Sequence, residues 1–165
     1  MTSRRFMDLA ELEALMSGYW LSDISNFSAY VADNIKDINW VGFYLDDGSK
    51  LRLASFIGKP ACLEIAYNRG VCGHAYSKRQ TTIVDDVHEF PGHIACDERS
   101  RSEMVIPFFI ENKLVGVFDM DSPTVGRFKP ADKILMEMAL AIVSKKIAEN
   151  SKINPREIFG QVSVS

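Results

Sequence analysis

Apolar positions recur along this chain first with a helical period and then with a strand period. Phe6, Leu9, Leu12, Leu15 and Met16 fall at helical spacing, and Gly18 supplies a stop. A second helix is expected from about Ser22 to Asn34, with Ile24, Phe27, Tyr30 and Val31 on one face. The register then changes. Ile38 to Leu45 reads as a strand, Asp46-Asp47-Gly48-Ser49 as a hairpin turn, and Leu51 to Ile57 as the returning strand. Cys62 to Tyr67 reads as a short strand, Val71 to Lys78 as a short helix introduced by Gly70, and Thr81 to Asp85 as a strand. Residues 86 to 102 form a long loop, which in a small domain is usually functional. Met104 to Ile110 and Leu114 to Met120 form a hairpin around Glu111-Asn112-Lys113. A last helix opens at Pro130, a residue suited to the first helical position, and runs to about Asn150. Its buried face is expected to carry Ile134, Leu135, Met138, Ile142 and Ile147. This order predicts an α+β domain, an antiparallel sheet with helices packed on it.

Size and charge narrow the classes of function. The 165 residues suit one domain, taken as 1–150, followed by a tail at 151–165 to which no motif assigns a role. With 47% hydrophobic residues the chain can bury a core. The net charge is −3 and the basic residues are scattered, apart from Lys145-Lys146 late in the last helix. A nucleic-acid surface would show them clustered. Residues 1–8 lack the apolar stretch of a signal peptide, and no apolar run is long enough to span a membrane. Three cysteines, an odd number, point to free thiols in a reducing cytoplasm.

Those cysteines lie in segments marked by glycine or proline: Lys59-Pro60-Ala61-Cys62, Gly70-Val71-Cys72-Gly73, and Phe90-Pro91-Gly92-His93-Ile94-Ala95-Cys96-Asp97. Cys96 stands in polar, loop-like surroundings where a thiolate can be stabilised, although a free cysteine is often just a small buried hydrophobe. Three thiols allow a nucleophile and a resolving partner. They also allow a metal site with His74 or His93, but there is no C-x2-C pair of the kind structural zinc uses. Cys96 with His93 would also suit a cysteine hydrolase, for which no orienting Asn or Asp is evident. His88 reads as a loop histidine. Asp119 and Asp121 share one strand face by period 2, and Glu103 comes near both if the last two strands pair. Clustered carboxylates raise one another's pKa, which keeps a proton available near neutral pH. Trp40 and Tyr44 also share a face, with Gly42 between them leaving room for a ligand, or else they are ordinary core aromatics.

Taken together these segments resemble the free methionine-(R)-sulfoxide reductases, a family of GAF-fold proteins. The resemblance is carried by Asn39-Trp40-Val41-Gly42-Phe43-Tyr44, the three cysteine segments, Ser102-Glu103 and Asp119-Met120-Asp121-Ser122-Pro123, and is extended by Arg127-Phe128 and Asp132. It spans roughly Leu15 to Ala148. It implies a six-stranded antiparallel sheet with helices on both faces, and a homodimer in many members. The implied activity is reduction of free L-methionine-(R)-sulfoxide, with no bound cofactor or metal. Thioredoxin would be the reductant, itself reduced by NADPH through thioredoxin reductase. By position, Cys96 resembles the nucleophile, Cys62 the resolving thiol and Cys72 a third thiol able to join a disulfide. Glu103, Asp119 and Asp121 resemble the carboxylates that hold the substrate amine and the sulfoxide oxygen, and Trp40 and Tyr44 the wall around its methyl group. The competing expectation is a GAF sensor that binds a small molecule without turnover. An adaptor protein is a weaker rival, because no repeat or tail motif speaks for one.

Overall fold

The computed structural model describes residues 7–94 and 96–150; Phe6 and the tail at 151–165 lie outside them. Helix α1 (Leu9–Leu15) starts at Asp8, whose carboxylate accepts from the amides of Ala10 and Glu11. Helix α2 (Trp20–Asn34) begins two residues earlier than the apolar pattern suggests. Its start is set from within: buried Asp23 accepts hydrogen bonds from the Ser17 amide and hydroxyl and from the Gly18 amide. These bonds clamp the elbow between α1 and α2, and Gly18 takes the positive φ of 89° that the elbow needs.

Six strands follow: β1 (Trp40–Asp46), β2 (Leu51–Ile57), β3 (Glu64–Ile65), β4 (Thr82–Val84), β5 (Ser102–Ile110) and β6 (Lys113–Ser122). Helix α3 (Gly70–Lys78) lies between β3 and β4, and α4 (Pro130–Asn150) ends the described chain. All strands pair antiparallel, in the spatial order β3-β2-β1-β6-β5-β4. The β5–β6 hairpin turns through Glu111 and Asn112, both left-handed, a turn whose twist matches that of the strands. β3 is shorter than the expected Cys62–Tyr67, and the loop after β4 contains a 3₁₀ turn at Val87–Glu89 anchored by fully buried Val87.

The fold is the expected α+β arrangement, with helices on both faces of the sheet. Helices α1, α2 and α4 cover one face, where Phe27, Phe43, Phe108, Phe118 and Met136 form the main core. Helix α3 covers the other, over Trp40, Tyr44, Val105 and Val117. The buried side of α4 keeps the expected Ile147 and, half-buried, Ile142, but otherwise differs from the expected one. Met136, Ala139, Leu140, Val143 and Ile147 face the sheet, whereas Ile134 and Met138 are exposed. This helix is apolar on two sides, so periodicity cannot choose between them. The sheet packs against the side where Ala139 permits close approach. No helix among the described residues is long and apolar enough to cross a membrane.

Candidate active site

The site arises from the register of three neighbouring strands. Trp40 of β1 lies opposite Asp121 of β6, which lies opposite Glu103 of β5. One step along the same face, Gly42, Asp119 and Val105 form the next row, followed by Tyr44, Val117 and Pro107. Because side chains alternate in a strand, this register alone brings the three carboxylates and both aromatic rings to the α3 side. The first turn of α3 sets Cys72 above them, with its Sγ 3.9 Å from Glu103 Oε1. These groups line a small cavity of about 40 Å³, together with Cys96, His93, Ile94, Arg69 and the amino-terminal residues of α3.

Cys62 and Cys96, 34 residues apart, are joined by a disulfide with their Cα atoms 5.6 Å apart. Cys72 is free and buried. Both loops that carry the disulfide are tied to β1 or to the residue before it. The Tyr44 hydroxyl donates to the Cys62 carbonyl (2.9 Å), and Trp40 Nε1 donates to the Lys59 carbonyl (3.1 Å). Asn39 Nδ2 donates to Asp97 Oδ2 (3.1 Å) and to Ser100 Oγ (3.0 Å), holding the loop after Cys96. Asp97 also pairs with Arg99, and the Arg99 guanidinium and amide hold its carboxyl well below the usual carboxylate range.

Gly42 serves a different purpose from the one its position suggests. A Cβ there would come within 2.3 Å of Phe56 Cβ and 2.7 Å of the Ser55 carbonyl. The space it leaves is therefore filled by β2 at a register shift, not by a ligand. The close approach seats Phe56 against Trp40, whose ring stacks between Phe56 (centroids 5.3 Å apart) and Tyr44 (5.9 Å).

The electrostatics follow from burial. Glu103 and Asp119 are each 6% exposed. Among the described residues, the only basic side chain within ion-pair distance of the three carboxylates is His93, whose Nε2 is 3.8 Å from Glu103 Oε2. Burial, reinforced by Asp119 and Asp121, pushes the Glu103 carboxyl well above its ordinary range. Burial likewise raises Asp119 to about 6, and burial with Asp119 and Asp97 nearby raises Asp121. The Cys72 thiol is pushed up by burial and then by Asp119, Glu103 and Asp121, so it stays protonated at neutral pH. Burial lowers His93 and keeps it largely neutral. The site thus holds protonated acids beside a cysteine pair.

Every candidate cysteine, carboxylate and aromatic residue named from the sequence lines this cavity except Cys62, which enters through its disulfide to Cys96. His74 packs edge-on against Phe90 instead, and His88 lies on the surface near Asp86. The sequence pattern by itself gives Asn39, Ser100 and Arg69 no role. The amide of Asn39, directly before an apolar strand, was the available signal for the first of them.

The chain matches the GAF domain family over residues 22–146. It is 42% identical over 140 residues to the free methionine-R-sulfoxide reductase of Escherichia coli, covering 84% of this chain and 85% of that protein. The reduced form of fRMsr from Staphylococcus aureus superposes with a TM-score of 0.82 at 44% identity, over 85% of this chain and 92% of that one. Free methionine-R-sulfoxide reductase from Neisseria meningitidis, solved with its substrate, gives a TM-score of 0.82 at 36% identity over 87% of each chain. Identity at this level over nearly the whole domain, on a shared six-stranded frame, makes the chain a member of the GAF domain family and, within it, of the free methionine-R-sulfoxide reductases.

Proposed function

We propose that this protein reduces free L-methionine-(R)-sulfoxide to L-methionine in the cytoplasm, using Cys96 as nucleophile and Cys62 as resolving thiol. The observation that carries this reading is that protonated carboxyls share one cavity with Cys96, which is joined to Cys62.

A free amino acid brings two charges, and the cavity offers a partner for each. Its ammonium group suits Glu103, Asp119 and Asp121. Its carboxylate suits the amino-terminal end of α3, where the first helical bond runs from the Gly73 amide to the Arg69 carbonyl and no side chain caps the helix. That leaves the amides of Gly70, Val71 and Cys72 facing a ligand, with the partial positive charge of the helix end. A methionine sulfoxide within a polypeptide has neither charge, so these groups would stay buried without partners and the peptide form is rejected.

The sulfoxide sulfur becomes electrophilic when its oxygen is protonated, which a carboxyl of raised pKa among the three supplies. The Cys96 thiolate then attacks sulfur, methionine departs, and Cys96 is left as a sulfenic acid. The Cys62 thiol condenses with it, forming the disulfide and releasing water. A dithiol such as thioredoxin restores both thiols by exchange and is itself oxidised. Cys72 is assigned as an accessory thiol that can exchange into that disulfide. The rings of Trp40 and Tyr44 hold the methyl group opposite the acids, which selects the (R) epimer. A homodimer is the proposed assembly, since exposed Ile134 and Met138 give α4 an apolar outer side.

The test is thioredoxin-dependent NADPH oxidation with the free (R) sulfoxide, the free (S) epimer and a peptide-bound sulfoxide. Turnover with the free (R) form alone is the expected result. Binding of the free amino acid without turnover of any form would replace this reading with that of a sensor.

A further inference from the structure

The disulfide uses only two of the three thiols. The third, Cys72, remains free against the carboxylates, where a protonated thiol has no necessary step in the cycle above. Donor atoms of Cys72, Glu103 and Asp119 all lie within 4.8 Å of one another, and all three residues are buried. Asp119 Oδ1 is fully buried, lines the cavity and has no hydrogen-bond partner. An orphaned carboxylate oxygen in such a place calls for a cationic or hydrogen-donating ligand.

We infer that Cys72, Glu103 and Asp119 form a binding site for a thiophilic divalent cation of the zinc type, open to the metal even when Cys62 and Cys96 are joined. One sulfur and two carboxylate oxygens suit zinc or cobalt and disfavour magnesium or calcium, which take six or more oxygens. The spacing also fits. A tetrahedral edge between a sulfur at about 2.3 Å and an oxygen at about 2.0 Å from the metal spans about 3.5 Å. The Cys72 Sγ to Glu103 Oε1 separation is 3.9 Å and no donor pair exceeds 4.8 Å, so side-chain adjustments of at most about 1.3 Å close the site. His93 Nε2, 3.8 Å from the other Glu103 oxygen, is placed to orient that carboxylate from outside. On binding, Cys72 gives its proton to solvent and becomes the thiolate ligand. The bound ion takes up the carboxylates that the proposed function gives to the substrate ammonium, so metal and substrate exclude each other. That exclusion rests on the proposed function, whereas the metal binding does not.

Cobalt(II) is the probe, titrated into the full chain in its disulfide form, where Cys72 is the sole free thiol. A thiolate-to-cobalt charge-transfer band should grow and saturate at one equivalent. It should vanish in Cys72→Ser, and Asp119→Asn should weaken cobalt binding by roughly tenfold or more. No band in the parent protein, the same band in Cys72→Ser, or unchanged affinity in Asp119→Asn would overturn the site. The Asp119→Asn arm decides even if Cys72→Ser fails to fold. The titration contains neither sulfoxide nor reductant, so its failure leaves the reductase reading intact, and absence of turnover leaves the metal site intact.

Discussion

The two faces of the central sheet are made by the same three strands and have opposite chemistry. On the side of α1, α2 and α4, the strands present Val41, Phe43 and Leu45, then Phe118 and Met120, then Met104, Ile106 and Phe108. On the side of α3, the intervening residues are Trp40 and Tyr44, then Asp119 and Asp121, then Glu103. The first face is packed aromatic against aromatic, with Phe118 4.9 Å from Phe27 and 4.8 Å from Phe43 between ring centroids. The second keeps a cavity and holds two carboxyls, Glu103 and Asp121, that burial forces to carry protons. One face supplies stability and the other stores chemistry at some cost to stability, and the alternation of the pleat keeps them apart within a single layer.

Substitutions on each face therefore separate activity from stability. Cys96→Ser has the largest expected effect, complete loss of turnover with little change in melting temperature relative to the reduced parent, in which the Cys62–Cys96 bond is open. Cys62→Ser should release one methionine per site and then stop, read by quantifying methionine in a single-turnover assay without reductant. Repeated turnover by Cys96→Ser with thioredoxin would remove the nucleophile from its role.

On the opposite face, Phe118→Ala should lower unfolding free energy by about 3–5 kcal/mol, the usual result of emptying an aromatic site in a closed core. Denaturant unfolding measures it, and a loss below about 1 kcal/mol would mean that this face is not the stabilising one.

Asp119→Asn should stabilise the fold at neutral pH, by about 3 kcal/mol. The sign follows from linkage. Burial raises the folded-state pKa of Asp119 from 3.8 to about 6, so the folded form binds the proton more tightly. The group's contribution to stability is greatest at low pH and is lost as pH rises from about 4 through about 6. The variant should thus melt higher than the parent near pH 7.5 and at nearly the same temperature near pH 4. A lower melting point at both would show that Asp119 is held by partners as a carboxylate.

The smallest expected effect is that of Tyr44→Phe, which deletes only the hydrogen bond to the Cys62 carbonyl, worth about 1 kcal/mol. It sharpens the comparison because the ring stays in place. Disulfide closure, followed by thiol counting after one turnover, should slow more than the chemical step. Equal slowing of both would assign the hydroxyl to the substrate instead.

Much of this protein was legible in its sequence. Period-2 alternation marked β1, β2, β5 and β6, Pro130 marked the start of α4, and the pairing of the last two strands was enough to bring Glu103 near Asp119 and Asp121. These are local signals, because a strand's faces and a helix's start depend on residues a few positions away. Tertiary structure decided what depends on neighbours distant in sequence. It chose the Met136–Ala139–Val143 side of an α4 that is apolar on two sides, and it set Gly42 against β2 rather than a ligand. It joined Cys62 to Cys96 while Cys72 sank among the acids, since pairing of thiols depends on where two loops are tied. Asn39, Trp40 and Tyr44 make those ties across 18 to 61 residues of chain, a span over which no sequence period carries information.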